Sequence, residues 1–489
     1  MEEVLRIRRE LALLRAARSQ GWCRVHRGLA PDLAGPYQRF RAARHGDSLR
    51  AIDEAARRAG SEEERQGLAR LRAAVAEERA RSVVTRLEEE IAAAEIAAVA
   101  EGPEGRLPLR SALRALVLEP QRGRRERLAD ACARAAAAEE GRRADAIAMQ
   151  QEALARTGVT AAQLAGFDPA KLAEEAQVAL ARTGDAFREL LPWALGRWVA
   201  EGVQPLPRGD LADHDLGWLE SAAFLGGIFP AGALTLTARR LVEAMGFDAR
   251  RQGVRLDVER REQALVGACV ARGEKPGQAA IFLAPLGTPR DWSDLFGALA
   301  IALRAVSIAP AAPAEDAWAG DRAQEAAFAA LFRGVVRQPL FFRRVLGAGG
   351  AAAEEAARGA NVLALLELRR LCALALYERE AWSRPPSRSL ARTFGELCAE
   401  AIGARCDERW YLHGLDLALP ASTALRGLAL LAAIEPAVLE RCDEDWWRNP
   451  RTGPWLQGLW ARGAAVDVAA LVGGAPSLDG YARSLLARL

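Results

Sequence analysis

Residues Ala, Leu, Arg and Glu, recurring at helical spacing, constrain this chain more than any other feature. They are the strongest helix formers, and their apolar members return to one face every three to four residues. Over roughly the first 200 residues little else occurs except turns marked by Gly and Pro. The pattern predicts one long amphipathic helix over 61–100, starting at Ser61 and ended by the Gly102-Pro103 pair, with further helices over 109–118, 124–157 and 169–201. Between Val254 and Pro285 the period shortens. Residues 254–258 alternate, while 264–270 and 279–284 are short apolar runs bounded by charged or Gly/Pro turns; these read as three strands of a small sheet. Helical character resumes behind Asp291-Trp-Ser-Asp294, read as an N-cap, and continues to Leu489 with breaks at 347–350, Pro385-Pro386, Pro420 and 473–476. The expected fold is mainly α, a large multi-helix body with one three-strand sheet, divided into an N-terminal helical region over 1–200 and a second unit over 201–489.

Charge and cysteine usage exclude several classes. The formal net charge is only +3, and arginines alternate with glutamates, as in Glu62-Glu63-Glu64-Arg65 and Arg86-Leu87-Glu88-Glu89-Glu90. That is a solvated helix face and not a nucleic-acid-binding stripe. The apolar stretch 295–303 stops at Arg304, well short of the roughly 20 residues that span a bilayer. Glu2, Glu3, Arg6, Arg8 and Arg9 stand where a secretory leader needs an apolar run. No membrane association and a cytoplasmic location are expected. The seven cysteines are scattered, odd in number and without a C-x-x-C pair, which argues against a disulfide framework and a structural zinc site and favours a reducing compartment. Cys269 lies in an apolar strand pattern and reads as core packing, since apolar surroundings raise a thiol's pKa.

Several catalytic chemistries lack their residues. Lys171 and Lys275 are the only lysines, and neither stands in a G-K-[ST] context, so there is no P-loop. Gly347-Ala-Gly349 follows a helical segment, and Ala352 replaces a third glycine. No G-x-S-x-G elbow occurs. Histidine is the informative scarcity: His26, His45, His214 and His413 are the whole supply, and no two are four apart. A zincin helix needs imidazoles at i and i+4 on one face to hold Zn²⁺, with a glutamate beside the first to polarise the metal-bound water.

Even so, the second half resembles the thimet oligopeptidase and oligoendopeptidase F family of zinc metallopeptidases. The residues Asp294-Leu-Phe-Gly-Ala-Leu-Ala-Ile-Ala-Leu303, following the three strands, look like that family's active-site helix. The resemblance puts Phe296 at the first ligand position, Gly297 at the general base and Ala300 at the second ligand. Gly320-Asp-Arg-Ala-Gln-Glu325 is similar to the segment bearing the third ligand, Glu325, and Ser422-Thr-Ala-Leu-Arg426-Gly looks like the Tyr-Leu-Arg stretch with Ala424 where a transition-state-stabilising tyrosine is expected. Asp445-Trp446-Trp447-Arg-Asn-Pro450 resembles a structural signature near the end of these proteins. The N-terminal helices match only in kind, as the layer that roofs the substrate channel.

What the resemblance implies is therefore a degenerate member. A solitary carboxylate cannot hold zinc against water, so neither catalytic residues nor a metal or other cofactor is expected. Phe296, Leu299, Ala300 and Leu303 form an apolar stripe that suits a buried helix. His413, beside Trp410 and Tyr411, reads as a structural histidine, and Trp446-Trp447 as core packing. The expected function is non-catalytic binding of a peptide or protein partner in a vestigial cleft lined by Phe296, Ala300 and Glu325. The alternative is a hydrolase that recruits unconventional ligands.

Overall fold

The computed structural model describes residues 2–102, 105–198, 211–248, 253–273, 277–318 and 322–489. Helix α1 (Glu2–His26) buries Val4, Ile7, Leu11 and Leu14, a three-to-four spacing that packs against Tyr37, Ile52, Leu68 and Leu71 in an N-terminal core. Helix α2 (Glu62–Ser82) starts as expected, with the Ser61 hydroxyl accepting the Glu64 N–H at 3.1 Å. It does not run to residue 100. The Ser82 hydroxyl donates back to the Arg79 carbonyl at 2.7 Å, and two β-branched residues, Val83 and Val84, separate α2 from a second helix, Thr85–Ala97.

Behind that helix, β1 (Val99–Gly102) pairs antiparallel with β2 (Gly105–Pro108), so Val99 and Ala100, expected to close the long helix, are strand instead; Pro103 lies outside the described residues. The segment 124–157 is likewise two helices, Arg122–Ala137 and Glu140–Ala155. Neither Gly nor Pro marks the join. The helix Pro169–Trp198 sends Leu172, Phe187 and Leu195 into the C-terminal core. Its expected end at 201 and the expected division at 200–201 lie outside the described residues.

The sheet has the order β3 (Val254–Val258), β5 (Ala279–Leu283), β4 (Ala268–Arg272), with β5 parallel to β3 and antiparallel to β4. Strand β4 begins four residues later than the apolar run suggested. The Leu265 N–H donates to the His26 carbonyl at 2.8 Å, and the His26 Nε2 lies 3.1 Å from the Gly267 carbonyl, so residues 264–267 form a turn tied to the end of α1. A disulfide joins Cys23 of α1 to Cys269 of β4, contrary to the expectation of unpaired cysteines. The two positions are 246 residues apart, and only the packing of α1 on the sheet brings them together.

Among the helices of the C-terminal body, four frame the site: α3 (Arg290–Ser307), α4 (Arg322–Arg333), α5 (Gly350–Ser383) and α6 (Pro420–Cys442). Helix α3 is preceded by Pro289, not capped by Asp291. The Asp291 carboxylate instead accepts the N–H groups of Leu286, Gly287 and Thr288 at 2.7–3.1 Å, closing the loop from β5. Helix α6 crosses α4 at Gly427, where an added Cβ would stand 2.7 Å from the Ala326 Cβ and 2.9 Å from the Ala327 nitrogen; glycine permits that approach. By length and composition α6 could cross a bilayer, which 295–303 could not, yet most of it is packed against α4, α5 and the helix Leu478–Leu486. Trp446 and Trp447 are core residues, each packed edge-on or tilted against a phenylalanine, Phe332 and Phe341 respectively.

Candidate ligand cleft

A cleft of about 500 Å³ opens where α1 faces the C-terminal body. Helix α1 presents Arg15, Arg18, Ser19 and Trp22 to it, one stripe at i, i+3, i+4 and i+7. Val270 and Arg272 come from β4, Ile301 and Arg304 from α3, and Arg322, Glu325, Ala326 and Arg333 from α4. Glu367 of α5 and Ala424 of α6 complete the walls.

Glu325 and Ala424 thus meet in one cleft. Phe296 and Ala300 do not line it. Both are fully buried: Phe296 packs edge-on against Trp292 and Phe341 with ring centres 6.3 and 6.0 Å away, and Ala300 lies one turn before Arg304, beneath the cleft wall. The reason is the apolar stripe itself: a helix face carrying Leu295, Phe296, Leu299, Ala300 and Leu303 turns inward, which leaves Ile301 and Arg304 for the cleft. Gly297 lies against Arg333 of α4. A Cβ at Gly297 would stand 2.7 Å from the Arg333 Nε and 3.1 Å from its Cγ.

Carboxylates at the cleft are held by guanidinium groups. Glu325 accepts from Arg272, and the Arg304 Nη1 lies 3.6 Å from the same carboxylate. Arg272 also stacks on Trp318, its guanidinium 5.1 Å from the ring centre. Behind Arg15 and Arg18, Glu77 accepts from Arg15, Arg81 and Arg322 at 2.6, 2.9 and 2.8 Å, and Glu78 from Arg15 and Arg18 at 2.8 and 2.6 Å. Burial alone would raise both acids, but those guanidiniums outweigh it, holding Glu77 well below and Glu78 below the usual carboxylate range. Glu367 is shared by Arg333 and Arg337 at 3.7 and 3.4 Å.

This donor set does not fit a catalytic zinc. Zinc needs lone pairs from imidazole, thiolate or carboxylate, and Phe296, Gly297 and Ala300 offer none. Glu325 is engaged by Arg272, with the Arg304 Nη1 3.6 Å away, so the space beside this carboxylate is already cationic. Among the described residues no three His, Cys, Asp or Glu side chains converge to hold a metal. The histidines sit elsewhere. His413 packs edge-on against Trp410 at 4.5 Å with its Nε2 3.6 Å from Glu95, and burial lowers its pKa; His26 serves the β4 turn, and His214 lies beside Asp213 and Asp215.

The chain superimposes over nearly its whole length on solved peptidases. It matches the M32 carboxypeptidase of Deinococcus radiodurans R1 with a TM-score of 0.59 at 15% identity, over 99% of this chain and 98% of that one. The fold is a metallopeptidase fold. PZ peptidase A, solved with an inhibitor, matches with a TM-score of 0.60 at 13% identity, over 90% of this chain and 82% of that one. An oligoendopeptidase F assigned in Bacillus anthracis str. Ames matches with a TM-score of 0.57 at 12% identity, over 90% and 80%. No protein-family profile matches the sequence, and no curated protein matches it. The metallopeptidase fold therefore extends through the N-terminal helices, where the sequence resemblance was one of kind alone, and it includes carboxypeptidases that the sequence motifs did not suggest. The arginine lining was also missed. Its trace in the sequence is Arg15, Arg18 and Trp22 at helical spacing beside the buried face of α1.

Proposed function

We propose that this chain is a non-catalytic, metal-free protein on a metallopeptidase fold, which binds a peptide, or an extended segment of a protein partner, in the cleft between α1 and the C-terminal body and releases it uncut. The observation that carries this reading is the replacement of metal donors by cations around a cleft that is still open. Arg333 packs over Gly297, and Glu325 is held by Arg272. Hydrolysis of an amide by this fold's chemistry requires an activated water, and a guanidinium has no lone pair with which to hold a metal or accept a proton. The retained volume, walled by Trp22, Trp318, Ile301 and Leu371, suits an apolar-and-polar ligand such as a peptide. The Cys23–Cys269 disulfide removes the cysteine argument for a reducing compartment, so the proposed binding role carries no cytoplasmic assignment.

The test is to incubate the purified full chain with added zinc and internally quenched peptides of mixed sequence. Peptides are expected to bind, read by fluorescence anisotropy, and to be recovered intact by mass spectrometry. Cleavage that a chelator abolishes would establish the alternative, a peptidase with unconventional ligands.

A further inference from the structure

Resting on that reading, the arrangement of arginines assigns the ligand's chemistry: we infer that the cleft selects an extended acidic peptide with two carboxylate side chains, gripped at the two ends of α4. At one end Arg15, Arg18 and Arg322 share Glu77 and Glu78, three guanidiniums to two carboxylates; Arg81, which also reaches Glu77, has its own partner in Asp416 at 2.6 Å. At the other end Arg333 and Arg337 share the single carboxylate of Glu367. Each guanidinium carries five N–H donors in a fixed fork, so an incoming carboxylate finds donors to spare at both ends.

The side chains of Arg15 and Arg337 are only 6% and 12% exposed. Positive charge withdrawn from water in this way is poorly screened, and a carboxylate placed beside it gains more than on an open surface. Trp22, a large aromatic left 38% exposed at the mouth, and Trp318 line the span between the two ends, where they can cover a peptide's backbone and apolar side chains.

Spacing sets the length of the ligand. Arg322 and Arg333 are the first and last residues of α4, and at ~1.5 Å per residue they stand about 16 Å apart along its axis. A compact anion such as phosphate cannot touch both. An extended chain advances about 3.3 Å per residue, so acidic residues about five apart reach both ends.

The experiment uses the full chain and short, labelled, C-terminally amidated peptides, followed by anisotropy. One peptide carries glutamates five positions apart, a second carries them adjacent, and a third has glutamine in place of both. The spaced acidic peptide is expected to bind about tenfold tighter than the glutamine peptide and several-fold tighter than the adjacent one. Raising salt from about 50 to 200 mM should weaken it more than the glutamine peptide. The double variant Arg322→Gln/Arg333→Gln should abolish the preference. It leaves Glu77 with Arg15 and Arg81, and Glu367 with Arg337, so the fold is retained, as circular dichroism checks; if that variant fails to fold, the wild-type peptide comparison alone decides. Equal affinity for the acidic and glutamine peptides overturns the charge selection and leaves peptide binding standing. No binding of any peptide sinks the functional reading itself. Displacement of the acidic peptide by a single-stranded oligonucleotide at lower concentration than by unlabelled acidic peptide overturns the ligand class.

Discussion

Substituting Glu77 by Gln should weaken the whole molecule, because this residue ties the N-terminal layer to the C-terminal body. Its carboxylate is nearly inaccessible to water and accepts from Arg15, Arg81 and Arg322 at 2.6–2.9 Å. Glutamine keeps the shape and one acceptor oxygen but removes the charge. Breaking a buried ion network by deleting one partner costs about 3–5 kcal/mol, since the charges left behind lose their counter-ion without regaining water. That is a large share of the ~5–15 kcal/mol that stabilises a typical folded protein. Unfolding entropy of about 2.1 cal/mol/K per residue, over 489 residues, makes each kcal/mol worth about 1 °C, so the melting temperature should fall by about 3–5 °C. Differential scanning calorimetry at neutral pH measures the shift. The control is Glu62→Gln, which removes a solvent-exposed carboxylate paired with Arg65 and should leave the melting temperature unchanged. Because the Glu77 network is buried, its effect should also persist at high salt. A Glu77→Gln transition no lower than that of Glu62→Gln would refute the reasoning.

Three further outcomes follow from named contacts. Replacing Phe296 and Ala300 together by His should cost at least about 3 kcal/mol, by losing a packed ring and burying imidazoles in an apolar core, and should confer no zinc affinity; a folded variant that takes up one zinc would show that these positions face the cleft. Burial tends to raise the carboxyl of Asp416, but Arg81 outweighs it and holds the group at about 2. Since this folded-state value lies below the ordinary 3.8, the stabilisation is complete above about pH 4 and is lost as pH falls through 2. With the side chain one-third exposed, the contribution is about 1–2 kcal/mol after discounting for solvent; Asp416→Asn should flatten that part of a pH–stability curve, and a variant as acid-sensitive as the parent would contradict it. Titration of the denatured, unreduced chain with a thiol reagent should find five reactive cysteines, the Cys23–Cys269 pair being silent, whereas seven would contradict the bond.

The sheet was legible because β3 alternates and β5 is an unbroken apolar run covered on both faces, two patterns with direct physical causes. The breaks in the long helices were not legible. Val83-Val84 and Ala138-Glu139 contain neither Gly nor Pro, and the chain turns there because tertiary packing outweighs a small difference in propensity. The Cys23–Cys269 bond depends on a contact across most of the chain, which cysteine counting cannot supply. At the site, what composition alone shows is that four widely separated histidines form no i, i+4 pair in any register. The facing of α3 was misjudged even though its own pattern contained the answer: a stripe apolar enough to be core is turned away from a polar cleft. The arginines of the cleft escaped notice because Arg–Glu alternation looks the same on a solvated face and in a buried network. Only burial of Glu77, Glu78 and Arg15 separates the two.

The account stands or falls on whether the cleft can hold a divalent cation. Equilibrating the purified chain with excess zinc, removing free metal by gel filtration and measuring zinc by inductively coupled plasma mass spectrometry tests this directly. Far less than one zinc per chain is predicted, with no difference between the parent and Glu325→Ala. One zinc per chain, lost in Glu325→Ala, would contradict it.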